Sequence, residues 1–415
     1  MANTIASVLH RTGGKVPGLA QTRAMLVIAW IGFQSFRVTD GYAGAVLSPL
    51  WIVPYAVVPA LFALLGFCLA QAAATGTPRT FLLDRVRRAG PVLLVTVLAT
   101  ALLLGPARST DGLRAYLTDP AFASYFLNLA GWPRFDLPGV FEFNDYSEVV
   151  NEALWLTPCF AVVAIGALGA MRSRAPRWFA LAAAFATLAG YGAGEVAGLI
   201  PSPAGSALRN SFVGNGLAAI FAGQCGVLCY LWRERAVIGW PIPVGAGFVL
   251  AALALFGNPG LIERPGAPVA IALLAGAVAL AASARRMPGA WIAAHAAPVL
   301  HGAMLLSFPL QQLAVDLGPS GQTASTNLAL SLPVAVVLAW ALHWISTRFG
   351  LAAVRIGPDP GEAVQPLPDI RGKRWWQNLA QQFAVGLGIA LVVAAGGLIV
   401  ILLTVAALQQ DPIGV

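Results

Sequence analysis

Ser48-Pro-Leu-Trp-Ile-Val-Pro-Tyr-Ala-Val-Val-Pro-Ala-Leu-Phe-Ala-Leu-Leu-Gly-Phe-Cys-Leu-Ala-Gln-Ala-Ala73 runs without a single Asp, Glu, Lys or Arg. It is too long for a buried strand, and roughly 20 apolar residues are enough to cross a hydrocarbon core. In lipid no water serves the backbone N–H and C=O groups, so such a run must bond internally and predicts a helix. Pro54 and Pro59 fall inside it and predict kinks against neighbouring helices. The same pattern recurs in both directions along the chain. We read about eleven apolar segments, at roughly 22–38, 48–73, 89–106, 149–170, 177–200, 211–232, 237–257, 266–284, 289–314, 324–346 and 380–408. Ala43-Gly44-Ala45 has the small residues of a signal-peptide cleavage site. Arg37 and Asp40 follow the first run, however, and it is read as a retained span.

Composition agrees. Hydrophobic residues make up 58% of the 415 and charged residues 10%. Soluble domains run near 45–50% and about 25%. That excludes an ordinary soluble enzyme, a disordered chain and a secreted disulfide scaffold. The fold class is an all-α polytopic membrane helix bundle, with the lipid bilayer as its first partner. The net charge of +8 does not indicate nucleic acid, because the basic residues sit between apolar runs rather than in one patch. They record orientation instead. With the N-terminus cytoplasmic, the outer side keeps Arg37, Arg108, Arg114, Arg134, Arg209 and Arg264, and the rest of the 25 Lys and Arg fall inside. Eleven spans then put the C-terminus on the extracytoplasmic side. The four cysteines, Cys68, Cys159, Cys225 and Cys229, lie in apolar runs and read as packing groups, with no metal site.

Two connections are long. The outer loop, about 107–148, carries Asp111, Asp119, Asp136, Glu142, Asp145 and Glu148 with Tyr116, Tyr125, Trp132, Phe141 and Tyr146. Acids and aromatics together suit a carbohydrate, and they equally suit a solvated cap. The inner segment 347–379 is Pro/Gly-rich and ends in Arg371-Gly-Lys-Arg-Trp-Trp376, an interfacial anchor for an appended span. Three regions result: a ten-span domain over 1–346, a cytoplasmic basic linker over 347–379 and an additional C-terminal helix over 380–415.

Polar groups inside a membrane need a partner or a cavity. The candidates are Gln34, Asn151, Glu152, Glu195, Asn215, Gln224, His295, His301, Gln311, Gln312 and His343. His295 and His301 are six apart and lie on different helix faces, so they make no metal pair. His301, near the middle of its segment, is a candidate base or a helix–helix hydrogen-bonding group. Arg85 and Arg88 share a face by their i, i+3 spacing at the opening of the third span. Paired guanidinium groups at a helix N-terminus can hold phosphates, and a positive-inside anchor has the same appearance.

Four blocks stand in order along the chain: Thr22-Arg23-Ala-Met-Leu-Val-Ile-Ala-Trp30, Phe81-Leu-Leu-Asp-Arg85-Val-Arg-Arg88-Ala-Gly-Pro91, Val150-Asn151-Glu-Ala-Leu-Trp155-Leu-Thr-Pro158 and Leu305-Leu-Ser307-Phe-Pro309. Together they resemble acyltransferase family 3, membrane enzymes that modify extracytoplasmic glycans. The resemblance covers about residues 20–346. It implies acyl-CoA as donor near Arg85, Arg88 and Arg23. It also implies a glycan or lipid-linked saccharide acceptor, with Asn151, Trp155 and Ser307 on the substrate side, and residence in a bacterial inner membrane.

The departures are equally informative. The family's first-span histidine aligns with Gln34, its later histidine with Ser307, and a glutamate after the tryptophan is missing from Pro158-Cys159-Phe160. Glutamine has no useful basicity. An active enzyme would need its base elsewhere, with His301, Glu152 and Glu148 as candidates. A lapsed enzyme would be a non-catalytic subunit of an envelope polysaccharide assembly, docking a membrane partner through the extra C-terminal helix. A secondary transporter, with Glu195 and His301 as proton carriers, is the third reading.

Overall fold

The computed structural model of the chain describes residues 4–14, 16–39, 41–196, 213–236, 241–263, 266–285, 293, 296–297, 299–318 and 321–348. His295, the appended segment 380–408, the whole 380–415 region and all but the first two residues of the 347–379 linker lie outside the described residues. Those described are mostly helical and include no strand. The longer helices are α1 (Leu19–Arg37), α2 (Val53–Thr75), α3 (Pro78–Ala99), α4 (Leu156–Arg172) and α5 (Pro176–Val196). After them come α6 (Val213–Leu231), α7 (Pro241–Phe256), α8 (Ala267–Ser283), α9 (Leu300–Leu317) and α10 (Ala324–Arg348).

Pro49–Thr75, Pro78–Arg108, Glu152–Arg172 and Ala324–Arg348 are long and apolar enough to cross a bilayer. Asn215–Leu231, Pro243–Phe256 and Ala267–Ser283 are shorter apolar helices. Large apolar side chains face outward on several of them, including Ile165, Phe248, Phe256 and Val337. Lipid is the solvent that suits such a surface.

One boundary differs from its expected place. The third apolar segment was expected to open near residue 89, with Arg85 and Arg88 at its mouth. The helix instead begins at Pro78 and carries both arginines in its interior. Asp84 is the reason a charged stretch stays helical: it pairs with Arg85 beside it and with Arg88 one turn on. The two guanidinium groups therefore sit roughly 10–15 Å beyond the helix N-terminus, at 1.5 Å per residue, and its dipole is not theirs to use.

The described residues divide into two compact units. The first comprises those of Met1–Phe33, Ala43–Phe81 and Trp155–Ala297. Here α2 lies against α4, α6 and α8, α5 against α6, and α7 against α8. Two of its buried clusters are built from small residues, Ala63, Ala218, Ala222 and Ala272 in one and Ala60, Leu64, Ala275 and Ala279 in the other, while Trp51 with Ile52 and Ile271, and Tyr191 with Phe221 and Val269, form two larger-residue clusters. A Cβ on Gly66 would collide with the carbonyl oxygen of Gly223, and one on Gly226 with that of Ala63. Helix backbones touch here because the side chains that would separate them are absent.

The second unit comprises those of Gln34–Tyr42, Leu82–Leu154 and Pro298–Val415. In it α9 lies against α10, with Gly302 fitted beside Ala339. Much of the start of the expected ninth segment, 289–314, lies outside the described residues, and the described helix there is Leu300–Leu317. The loop over 107–148 is an ordered cap with its own core. It holds two short helices, Leu113–Thr118 and Pro120–Tyr125, and the Asp119 side chain caps the second by accepting from the Ala121 N–H at 2.7 Å. Ser109 bridges to Val140, and Arg108 pairs with Asp316 at the end of α9. At the end of α3 the ladder widens into a π-helical turn, Thr100–Leu104. Tyr116 donates its hydroxyl to the carbonyl of Ala101 in that turn at 2.7 Å, and Thr100 donates to the Tyr125 hydroxyl at 3.0 Å. Burial raises the pKa of both tyrosines above the usual range.

Candidate functional site

The second unit contains a buried polar core, and most of the candidate residues lie in it. Gln34 ends its own stretch of α1 with no exposed surface, and Ser307 sits equally deep on α9. The Ser307 hydroxyl lies 3.5 Å from Gln34 Oε1 and donates to the carbonyl of Met304 at 3.2 Å. Asn151 donates to the Leu305 carbonyl, one turn-half from Ser307, at 2.9 Å. Its own Oδ1 accepts from the Ala153 N–H, which fixes the short turn Glu152–Trp155. Gln34 thus meets Ser307 across 273 residues of chain, and Asn151 meets Leu305 of the same helix across 154.

Glu152 is 2% exposed and is held by Arg37, whose Nη1 donates to Glu152 Oε1 at 2.6 Å. Arg37 Nη2 donates to the Tyr146 hydroxyl at 2.9 Å, and Tyr146 stacks edge-on against Phe308. Charge inside a low-dielectric core is tolerated only in such pairs. The surrounding lattice is made of amides. Gln312 donates to the carbonyls of Tyr146 and Val149, and Asn144 donates to Gln312. Ser35 donates to Asn327 Oδ1, Gln311 donates to Ser35, and Asn327 donates to the Gln311 carbonyl and to Gln322. Among the buried polar atoms of this core without a hydrogen-bond partner in the described residues are Gln34 Nε2 and Glu152 Oε2.

The remaining candidates lie elsewhere. His301 is half-buried on α9, six residues before Ser307. Helix geometry puts it about 9 Å along the axis and roughly 120° around from that serine. Glu148 is exposed on the cap, with its backbone in the left-handed region at φ 64°. Arg85 and Arg88 are bridged by Asp84 on α3, so the trio offers one net positive charge. Arg23 and Trp155 belong to the first unit, the former half-buried and the latter 1% exposed. The side chain of Glu195 lies outside the described residues.

In the cap, Tyr116, Tyr125, Phe141 and Tyr146 are buried and build its core, which leaves Trp132 and Phe143 as the exposed aromatics. Among the described residues no group of three His, Cys, Asp or Glu is arranged to hold a metal. Sequence reasoning missed Ser35 and Asn327, and read Arg37 only as an orientation marker and Tyr146 only as an aromatic of the outer loop. Arg37 had a usable signal, since it stands one turn after Gln34 on the same face of α1.

Comparison with protein-family models, curated proteins and solved structures finds no match for this chain.

Proposed function

We propose that the chain is an acyltransferase-3-like membrane protein that moves an acetyl-type acyl group from acyl-CoA to a hydroxyl of an extracytoplasmic glycan or lipid-linked sugar. The proposal includes about eleven spans in a bacterial inner membrane, a cytoplasmic N-terminus and an extracytoplasmic C-terminus. One observation carries it. Asn151 from the fourth-span block, and Gln34 and Ser307 at the positions aligned with the family's two histidines, lie in one buried polar core. Blocks that share a functional centre must converge in space, and a chance likeness gives them no reason to. In this reading Arg85 and Arg88 serve the donor phosphates, and the exposed Trp132 and Phe143 of the cap offer faces for sugar C–H surfaces.

The second reading, a catalytically lapsed subunit of an envelope polysaccharide assembly, is favoured by the neutrality of the Gln34–Ser307 pair. Neither side chain is a base at physiological pH. Acyl-CoA turnover by the full chain in nanodiscs, with a crude envelope glycan as acceptor, separates the two. Turnover in wild type that falls by about 10²-fold or more when Arg85 and Arg88 are both changed to Ala supports the enzyme. A silent wild type that gains turnover in Gln34→His supports the lapsed fold.

A further inference from the structure

We infer that Glu152 Oε2 and Gln34 Nε2 together hold one hydroxyl group of a saccharide ligand. Each is a buried polar atom without a partner among the described residues. Native interiors rarely leave such atoms empty-handed, and each marks a place for a further partner. The two atoms are complementary: one is a carboxylate oxygen that only accepts, the other an amide N–H that only donates.

Their placement follows from α1. Gln34 and Arg37 are i, i+3 neighbours and share a face, and Arg37 carries Glu152 on that face through the 2.6 Å ion pair. The Ser307 hydroxyl donates to Gln34 Oε1, so the amide nitrogen is the end of that side chain left for another partner. On the carboxylate, Arg37 occupies Oε1 and leaves Oε2 to the ligand.

The pair selects its ligand. A phosphate or carboxylate is repelled by Glu152. An ammonium group satisfies Glu152 but cannot accept from Gln34. A hydroxyl donates to the first and accepts from the second, and an alcohol carried on a sugar ring is the class that fits the proposed acceptor. In acyl transfer, which rests on the function proposed above, the hydroxyl proton passes to Glu152 Oε2 as its oxygen attacks the acyl carbonyl carbon. The new C–O bond forms, the C–S bond of the acyl-CoA breaks, and the departing CoA thiolate takes up the proton that Glu152 received. Glu152 then serves as the base, and Arg37 is the positioning residue that presents it.

The test uses the full chain in nanodiscs with methyl α-glucoside as probe, read by infrared difference spectroscopy alongside acyl-CoA turnover. We expect one carboxylate band, absent in Glu152→Gln, to shift on addition of the glucoside, and the shift to vanish in Gln34→Leu. A band that does not move, or that moves equally in Gln34→Leu, overturns the inference and means that the two atoms hold water only. Should Glu152→Gln fail to fold, the double variant Arg37→Gln with Glu152→Gln replaces the ion pair by neutral amides and identifies the same band. Where turnover is measurable, Glu152→Gln is expected to lower kcat by about 10²-fold or more while KM for acyl-CoA stays within about threefold. A shifting band without turnover in wild type ends the acyltransferase reading and leaves the hydroxyl site standing. Turnover with an unmoved band does the reverse.

Discussion

The two units of this chain solve one problem in opposite ways. Helices in lipid gain nothing by hiding apolar side chains from an apolar solvent, so they associate through close backbone contact or through hydrogen bonds. The first unit uses contact: Gly66 against Gly223, Gly226 against Ala63, and two clusters dominated by alanine. The second uses polar links: Gln311, Gln312, Asn144, Asn327 and the Arg37–Glu152 pair, all buried. A core of small residues has shape and almost no chemistry. A core of amides has partners that can be left open, and the two open atoms of this protein's site are in that second core. Function is expected where the lattice is polar.

Breaking the contrast is most damaging at the ion pair. Glu152→Ala leaves Arg37 buried without its carboxylate, a loss of about 3–5 kcal/mol. Arg37→Met combined with Glu152→Leu is expected to recover most of that, because an apolar pair of similar volume removes the charge together with its partner. Denaturant titration followed by tryptic cleavage at the exposed Arg114 and Arg134 reads the second unit. A double variant as unstable as Glu152→Ala would show that the pair supplies more than mutual neutralisation.

The first unit is expected to break through volume rather than charge. Gly66→Val drives a side chain into the backbone of Gly223, at a cost of about 1–3 kcal/mol or more. All four cysteines lie in that unit, with Cys159 buried, so alkylation of the native thiols reports its opening. Faster alkylation is expected in Gly66→Val and not in Gly190→Val, where a Cβ meets nothing within 4 Å.

The smallest effect sharpens the comparison at the cap. Tyr116 and Tyr125 hold their protons above the usual tyrosine range because they are buried. Their contribution to stability is full below about pH 10. Above it the unfolded chain ionises first, and the contribution is lost as pH climbs toward the folded values. An alkaline titration of tyrosinate absorbance should show a late step among the seven tyrosines, absent when both become Phe. Each lost hydroxyl bond costs about 1 kcal/mol. A titration with every tyrosine ionising near pH 10 would mean that the cap core is open to water.

The helices were legible because apolar runs in lipid have one low-cost conformation. The partnerships were not. Arg37 read as an orientation marker on the outer side, since its carboxylate lies 115 residues away along the chain. The start of α3 was misplaced because Arg79 to Arg88 looks like a connection, and nothing in a hydropathy pattern says that Asp84 will neutralise it from within the helix. The loop's acids and aromatics suited a carbohydrate and a solvated cap equally, and four of the five aromatics are buried in the cap. An aromatic ring suits either place, and only packing decides. Gln34, Asn151 and Ser307 were recognisable as positions of interest from the resemblance, but their meeting is a property of the folded chain.

The π-helical turn at Thr100–Leu104 has one more consequence. It is a helix segment carrying a residue more than its hydrogen-bond ladder can use, and the cap's two tyrosines grip it there. Each residue of a helix advances the chain by about 100° of rotation. Deleting one residue from this turn would restore a regular ladder and swing everything downstream through that angle. The surplus residue is therefore a setting: it fixes the heading at which the cap leaves its helix, and a lineage could re-aim the whole cap by a single-codon insertion or deletion without touching a side chain in it.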